Sequence, residues 1–211
     1  MPAAFLYVLL LVFPVVKPEV PSKLVSKCTG SKHVHEQIIM NIDGEEVNMS
    51  KYKGSVVLVV NVATFCGYAT QYHEMNELSE KKFKQKLEIV GFPCNQFMYM
   101  EPGLNKTEIM NGLKHVRPGN GFVPKIDMMK KTDVNGINEH PLFTLLKYSC
   151  PSPRDAEYDK MKGTWNPITP RDITWNFEKF VIDHNGIPIF RYLPITTPHA
   201  IIEDLQRKSI L

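Results

Sequence analysis

The chain has 211 residues, 43% of them apolar and 22% charged, which suits one domain with a buried hydrophobic core. This composition excludes disordered, collagen-like and disulfide-scaffold classes. The net charge of +3 is too small to indicate nucleic-acid binding, and no dense stripe of basic residues interleaved with aromatic ones is present in the sequence. A mild positive charge favours small anionic ligands over cationic ones.

The N-terminal region predicts export from the cell. Residues 5–16 form an apolar run that is too short to span a bilayer and suits the core of a secretory signal. No basic residue precedes this run and no clear cleavage site follows it, so an uncleaved anchor or a buried N-terminal helix is the alternative. We expect a signal peptide over residues 1–20, a linker over 21–36 and one domain over 37–211.

The next part of the chain has the pattern of a hairpin followed by two buried strands. Residues 38–41 and 45–49 flank an Asp-Gly pair, which predicts a hairpin. Residues 55–63 (S-V-V-L-V-V-N-V-A) are almost continuously β-branched, as in a strand that is covered on both faces. Residues 87–93 predict a second buried strand.

Amphipathic helices are predicted after each of these two strands. Residues 70–86 place apolar side chains at helical spacing among charged ones. These side chains are Tyr72, Met75, Leu78 and Phe83. Residues 105–116 place Ile109, Leu113 and Val116 on one side of a second helix.

The C-terminal half continues the alternation of strands and helices. A strand over 125–129 and a helix over 141–148 precede two strands, 177–182 and 187–192, that flank the turn sequence D-H-N-G. A helix over 198–208 ends the chain. This order predicts an α/β fold with a central mixed β-sheet flanked by helices on both faces, which is the thioredoxin-like order.

Cys66 is the first candidate catalytic residue, because it lies where the buried strand 55–63 ends and a helix begins. Unpaired N–H groups and the helix dipole at such a position stabilise a thiolate, so we expect a lowered pKa. Gly67 allows close backbone approach beside the sulfur. An ordinary buried cysteine at a strand end is the alternative.

The other three cysteines give no pairing pattern. Cys28, Cys94 and Cys150 form no C-x-x-C pair, and no histidine lies at zinc-finger spacing from them, so we expect no metal site. Two disulfides are possible in a secreted chain with an even number of cysteines. The apolar neighbours of Cys94 suit a buried thiol equally well.

Three motifs place the chain beside a known family. Residues 61–67 read N-V-A-T-F-C-G, residues 91–97 read G-F-P-C-N-Q-F, and residues 175–180 read W-N-F-E-K-F. In this order they resemble the signatures of the glutathione peroxidases, and the resemblance covers residues 38–205. It implies an oxidoreductase that reduces hydrogen peroxide and organic hydroperoxides to water or alcohols.

The resemblance also implies site residues. Cys66 matches the nucleophile, which attacks the peroxide and becomes a sulfenic acid. Gln96, Trp175 and Asn176 match its polar partners, whose N–H groups hold a thiolate without giving up protons. A packing role for Trp175 and a turn-capping role for Gln96 are the alternatives. Many animal members carry selenocysteine where this sequence has Cys66, so we expect slower turnover.

The absence of a resolving cysteine indicates which electron donor the protein uses. Relatives that use thioredoxin carry a resolving cysteine in the helix predicted over 105–116, where this chain has none. Glutathione is therefore the expected co-substrate, and no other cofactor is expected. Arg117 matches an arginine with which the tetrameric branch holds glutathione, and Arg191 lies near a second such position. For both residues the alternative is an ordinary solvated arginine on the surface. A thioredoxin-dependent peroxidase and a catalytically weak secreted protein that keeps the fold are the alternatives.

Three further expectations concern assembly and location. Residues 118–143 are similar to a segment of the tetrameric, glutathione-using branch, which implies a homotetramer. The sequons at Asn48 and Asn105 are candidate N-glycosylation sites, as in a secreted protein. Partners are then glutathione and hydroperoxides, without nucleic acid or stable membrane insertion.

Overall fold

A six-stranded mixed sheet forms the centre of the protein, seen in a computed structural model that describes residues 19–153 and 163–211. The strand order is β1-β8-β7-β4-β5-β6, and β2 and β3 form a separate hairpin. Strands β4, β5 and β6 are parallel to one another, whereas β7, β8 and β1 add antiparallel pairs. The strands are β1 Val25–Lys27, β2 Ile38–Met40, β3 Glu46–Asn48, β4 Val56–Val62, β5 Leu87–Pro93, β6 Asp127–Met128, β7 Lys179–Ile182 and β8 Pro188–Tyr192.

Four α-helices connect or follow these strands. They are α1 Gln71–Ser79, α2 Lys106–His115, α3 Pro141–Ser149 and α4 Pro198–Arg207. Side-chain caps fix three of the starts: Asn105, His140 and Thr197 accept backbone N–H bonds at the beginnings of α2, α3 and α4. Proline at the first position of α3 and α4 suits a helix start, because its missing N–H would have no partner there.

Strand β4 is buried along its whole length and separates two hydrophobic cores. Val56, Leu58, Val60 and Val62 lie in the first core, whereas Val57 and Val59 lie in the second. Apolar residues of α1, α2 and α4 contribute to the first core, and residues of α3 and the β2–β3 hairpin contribute to the second. The predicted central sheet with helices on both faces is confirmed.

Three helix predictions were too long, that of α4 by one residue. Helix α1 ends at Ser79, so Phe83 is not helical, although it packs against the first core. The physical reason is the reversal of the chain before β5, for which residues 80–86 supply the connection. Val116 is 57% exposed, because the chain leaves α2 at this residue and turns away from the core.

The segment predicted as a linker, residues 21–36, belongs to the fold. Its strand β1 pairs with β8, and Cys28 forms a disulfide with Cys150. The linker prediction failed because a three-residue strand gives little periodicity. Residues 1–18 of the predicted signal peptide lie outside the described residues.

Within residues 19–153 and 163–211, no helix is long and apolar enough to cross a membrane.

Candidate active site

Cys66 lies one loop beyond the end of β4, directly before a 3-10 turn, Gly67–Thr70, that leads into α1. Glu101 holds this loop, because its buried Oε2 accepts bonds from the backbone N–H and the hydroxyl of Thr64, at 2.8 and 2.7 Å. Phe65 N–H donates to the carbonyl of Met100 at 2.9 Å. The loop that follows β5 therefore fixes the backbone on the N-terminal side of Cys66.

Strand β4 also positions Trp175 and Asn176. The side-chain amide of Asn61, in β4, donates to the carbonyl of Trp175 at 3.1 Å. The carbonyl of Asn61 accepts from Phe177 N–H at 2.6 Å. Strand β4 therefore positions both the loop that carries Cys66 and the turn that carries Trp175 and Asn176.

Burial raises the pKa of the Cys66 thiol, and the residue is only 1% exposed. The backbone N–H of Tyr68, the side chains of Trp175 and Asn176 and the charge of Arg117 act in the opposite direction and lower the pKa. The Tyr68 N–H lies 3.5 Å from the sulfur. The expected lowering of the pKa was therefore wrong, because desolvation in the first core outweighs the N–H groups of the short turn.

Asn176 is fully buried and keeps one polar atom free. Its Nδ2 lies 3.7 Å from the sulfur of Met100, and its Oδ1 has no hydrogen-bond partner among the described residues. An unpaired buried carbonyl oxygen is costly, because its desolvation is not compensated by a hydrogen bond. Beside Cys66, a β-carbon added at Gly67 would meet no atom within 4 Å, which leaves the surface there open.

The side chain of Gln96 bonds the loop at 133–136. Its Oε1 accepts the backbone N–H groups of Val134 and Asn135 at 2.9 and 3.0 Å, and its Nε2 donates to the Asn135 carbonyl at 2.8 Å. These partners use both ends of the amide. Gln96 therefore holds the loop at 133–136 in place, and no hydrogen bond joins it to Cys66 among the described residues.

The two arginines predicted to hold glutathione lie in opposite environments. Arg117 is exposed, and its Nη1 donates to the carbonyl of Phe65 at 3.1 Å, close to Cys66. Arg191 has no exposed surface, and its Nε bonds Glu178 Oε1 at 2.5 Å. The prediction for Arg191 is corrected, because its guanidinium is buried on the face of the sheet that carries the second core and cannot contact dissolved glutathione.

The other cysteines are removed from the site. Cys28 and Cys150 are joined in the disulfide, which the sequence did not identify. Cys94 is free but fully buried in the second core, across the sheet from Cys66, and burial raises its pKa to about 12. No group of three metal-ligating side chains is found among the described residues.

Sequence reasoning missed three residues that build the site: Asn61, Glu101 and Glu178. Asn61 lies within β4 and Glu178 directly precedes β7, and each belongs to one of the three sequence motifs. A polar residue in such a buried position indicates a structural hydrogen bond. Glu178 is fully buried, and its Oε2 accepts from Thr174 N–H and hydroxyl at 2.9 and 2.8 Å. Glu101 follows a loop, and its sequence context carries no such signal.

Known proteins resemble the chain in both sequence and structure. The family model described as glutathione peroxidase matches residues 34–147. Glutathione peroxidase 3 of Caenorhabditis elegans is 49% identical over 164 residues, which are 77% of this chain and 73% of that protein. An epididymal secretory glutathione peroxidase of Macaca fascicularis is 44% identical over 176 residues, 83% of this chain and 79% of that one.

Solved structures confirm the thioredoxin-like fold. The crystal structure of T. cruzi GPX1 has a TM-score of 0.58 and 29% identity, and it covers 84% of this chain and 94% of its own. The thioredoxin domain of a Bacteroides vulgatus thiol-disulfide oxidoreductase has a TM-score of 0.50 at 10% identity, covers 87% of this chain and 98% of its own, and supports the fold alone. From the family model and the relatives together, the chain belongs to the glutathione peroxidase family and is a peroxidase, an oxidoreductase.

Proposed function

We propose that the chain reduces hydroperoxides through a sulfenic acid on Cys66, with glutathione as the electron donor. The observation that carries the proposal is the setting of Cys66, a free thiol at the start of a 3-10 turn whose Tyr68 nitrogen lies 3.5 Å from the sulfur. The side chains of Trp175 and Asn176 act on the same thiol and favour its thiolate. The Cys66 thiolate attacks the terminal peroxide oxygen, so that an S–O bond forms and the O–O bond breaks. The thiol proton leaves with the departing oxygen, as water or an alcohol.

The side chains around the sulfur have separate roles in this step. The Trp175 and Asn176 N–H groups stabilise the thiolate when it forms, although burial keeps the resting thiol protonated. Gln96 contributes by holding the loop at 133–136 in place.

The cysteine arrangement supports a small thiol as reductant. Cys28 and Cys150 are bonded to each other, and Cys94 lies across the sheet, so none of them is placed to attack the oxidised Cys66. One glutathione then forms a mixed disulfide with Cys66 and releases water, and a second releases oxidised glutathione. Arg117, exposed beside the nucleophile loop, is the residue that we assign to a glutathione carboxylate.

The experiment is to oxidise the protein with one equivalent of peroxide, add glutathione, and identify the partner of Cys66 by mass spectrometry. A mixed disulfide with glutathione is expected, and Cys66→Ser should abolish peroxide consumption while the protein stays folded. An internal bond from Cys66 to another cysteine would instead indicate a thioredoxin-dependent enzyme.

Arg117→Ala tests the donor site separately. We expect the reaction of oxidised enzyme with glutathione to slow by roughly tenfold, since a charge-assisted bond is lost, while the reaction with peroxide changes less. Lys114→Ala, which removes an exposed positive charge three residues earlier in the last turn of α2, is the matched control. Equal effects of the two substitutions on glutathione use would contradict a specific contact at Arg117.

We also propose that the protein is secreted and glycosylated. Relatives named epididymal secretory glutathione peroxidase support an extracellular location, and an internal disulfide suits an oxidising compartment. Asn48 and Asn105, the two sequon asparagines, are exposed. A tagged full-length chain should reach the medium of expressing cells and lose mass on treatment with a glycosidase. Retention in the cytosol without such a mass change would contradict both assignments.

A homotetramer is the proposed assembly. The segment 118–143 carries two exposed apolar side chains, Val123 and Ile137, whose burial between subunits would be favourable. Light scattering at micromolar concentration should give four times the mass of one chain. A monomer under these conditions would contradict the proposal.

A further inference from the structure

A fully buried ion pair lies directly behind the turn that carries Trp175 and Asn176. Arg191 Nε and Glu178 Oε1 are 2.5 Å apart, and neither side chain has any exposed surface. Two charges in such a place cost several kcal/mol of desolvation each, which well-packed apolar residues would avoid. The pair therefore needs a reason beyond the stability of the fold.

Glu178 closes the turn from its C-terminal side. Its second carboxylate oxygen accepts both the backbone N–H and the hydroxyl of Thr174, at 2.9 and 2.8 Å. Thr174 immediately precedes Trp175, so the carboxylate ties together the two residues that bracket the turn. The backbone N–H of Glu178 in turn donates to Asn61 Oδ1 at 3.0 Å, which anchors the turn to β4.

Arg191 holds the segment that enters the turn. Its Nη1 and Nη2 donate to the carbonyls of Arg171 and Asp172 at 2.9 and 2.8 Å. Nη1 also donates to the Cys150 carbonyl at 3.2 Å. A planar guanidinium presents its donors in a rigid fork, so this one side chain sets the spacing between the entering segment, α3 and Glu178.

The turn itself requires such support. Phe177, directly after Asn176, has a φ of 66°, which is unfavourable for a bulky residue that is not glycine. Conformations of this kind persist only where the surroundings over-determine them, and they cluster at functional sites. The clamp from Glu178 and Arg191 supplies part of that constraint.

We propose that Arg191 and Glu178 are positioning residues for the peroxidase reaction, which fix the Trp175 and Asn176 N–H groups in their places facing the Cys66 sulfur. This inference depends on the roles proposed above for Trp175 and Asn176. The pair does not touch the reacting atoms: it lies on the second face of the sheet, where the Arg191 guanidinium packs 5.2 Å from the Phe180 ring.

The test compares Arg191→Met and Thr174→Val with Tyr192→Phe. Tyr192 follows Arg191 in β8, faces the other core and donates a buried bond to Asp204 at 2.7 Å, so its loss costs stability without touching the turn. Two readouts are measured on folded protein: the rate at which peroxide alone oxidises Cys66, and the pH dependence of Cys66 alkylation by iodoacetamide.

For Arg191→Met we expect oxidation to slow on the order of tenfold to a hundredfold, because small displacements of catalytic groups are costly. The midpoint of alkylation should also move to higher pH, since the N–H donors that stabilise the thiolate are displaced. Thr174→Val keeps the ion pair and should change both readouts in the same direction by less. Tyr192→Phe should lower the unfolding temperature and leave both unchanged.

The proposal is overturned if Arg191→Met and Thr174→Val lower only the unfolding temperature, as Tyr192→Phe does. If Arg191→Met does not fold, Thr174→Val decides the result alone. Alkylation does not require peroxidase activity, so a wild-type protein that fails to consume peroxide would refute the proposed function. The alkylation profiles would still report whether the clamp positions the donors.

Discussion

At the scale of residues, the site combines a buried sulfur with a small number of N–H donors. Burial makes the Cys66 thiolate hard to form, whereas Tyr68, Trp175 and Asn176 stabilise it once formed. Such an arrangement keeps the resting thiol protonated and hence protected from unspecific oxidation. In the proposed reaction these donors stabilise the Cys66 thiolate that attacks the peroxide. Stabilisation of the reacting state, and not of the resting state, accelerates a reaction.

This balance predicts the pH dependence of Cys66 reactivity. The thiolate is the reactive form and burial raises the pKa, so the alkylation rate should continue to rise with pH beyond about 8.5, the ordinary value for cysteine. Iodoacetamide kinetics in a Cys94→Ser background measures this, because Cys66 is then the single free thiol. Asn176→Ala should shift the profile further upward. A plateau already below pH 8 would contradict the dominance of burial.

The sequence singles out Cys66, Trp175 and Asn176 as candidate site residues, and their catalytic roles stay predictions, but their surroundings could not be predicted. Cys66, Trp175 and Asn176 lie in motifs whose residue types state their chemistry. The environment of Arg191 cannot be seen in the sequence, because an arginine in a short strand is usually solvated. Its burial depends on Glu178, which lies beside it, directly before the neighbouring strand β7. The sign of the Cys66 pKa shift depends on total burial, which no local pattern gives.

At the scale of elements, β7 places a lysine in the interior next to the site. Lys179 has no exposed surface, and its Nζ donates to the carbonyls of Pro194 and Thr196 at 2.8 and 2.6 Å. Burial lowers its pKa to about 7, although Glu178, Glu74 and Cys66 act in the opposite direction. A neutral amine still has two N–H groups, enough for both carbonyls.

Lys179 should therefore make stability depend on pH. Between about pH 7 and pH 10.4, the ordinary lysine value, the unfolded chain binds a proton that the native state does not. The unfolding free energy of the wild type should consequently rise with pH across this window, relative to that of Lys179→Met, and the difference should level off below pH 7. Urea unfolding at a series of pH values measures it.

Lys82→Met, at an exposed position, is the control and should show no such trend. A constant difference between wild type and Lys179→Met from pH 7 to pH 10 would mean that Lys179 stays charged in the native protein.

The elements themselves followed from the sequence where periodicity was long. Strand β5 begins and ends where predicted, and β4 differs from its prediction by one residue at each end. A long apolar run predicts a buried strand, because burial of its side chains in the core stabilises that conformation. Strand β1 has three residues and is defined by its pairing with β8, a contact between distant parts of the chain that local patterns do not contain.

At the scale of the whole molecule, the disulfide joins the first strand of the sheet to the end of α3. The two cysteines are 122 residues apart, so the bond removes a large loop-closure entropy from the unfolded chain. We expect Cys28→Ser to lower the unfolding free energy by about 2–5 kcal/mol. Neither cysteine touches Cys66, so peroxide reduction at 25 °C should be retained.

Denaturant unfolding together with a peroxide-consumption assay measures both effects. Cys94→Ser is the matched control, because it changes a buried thiol without opening the disulfide. Loss of the Cys66 reaction in a folded Cys28→Ser protein would show that the disulfide also shapes the site.

The same disulfide divides the residues of the candidate site between two covalent parts. Cys66, Gln96 and Arg117 lie inside a closed ring of chain that runs from Cys28 to Cys150, whereas Trp175 and Asn176 lie on the tail that leaves it. A single protease cut anywhere within the ring leaves the molecule in one piece, with the nucleophile still tethered to its partners. A cut in the tail has no such protection. The ring therefore lets the part of the molecule that contains Cys66 tolerate a single cut, and a gel run with and without reductant after limited proteolysis would show this directly.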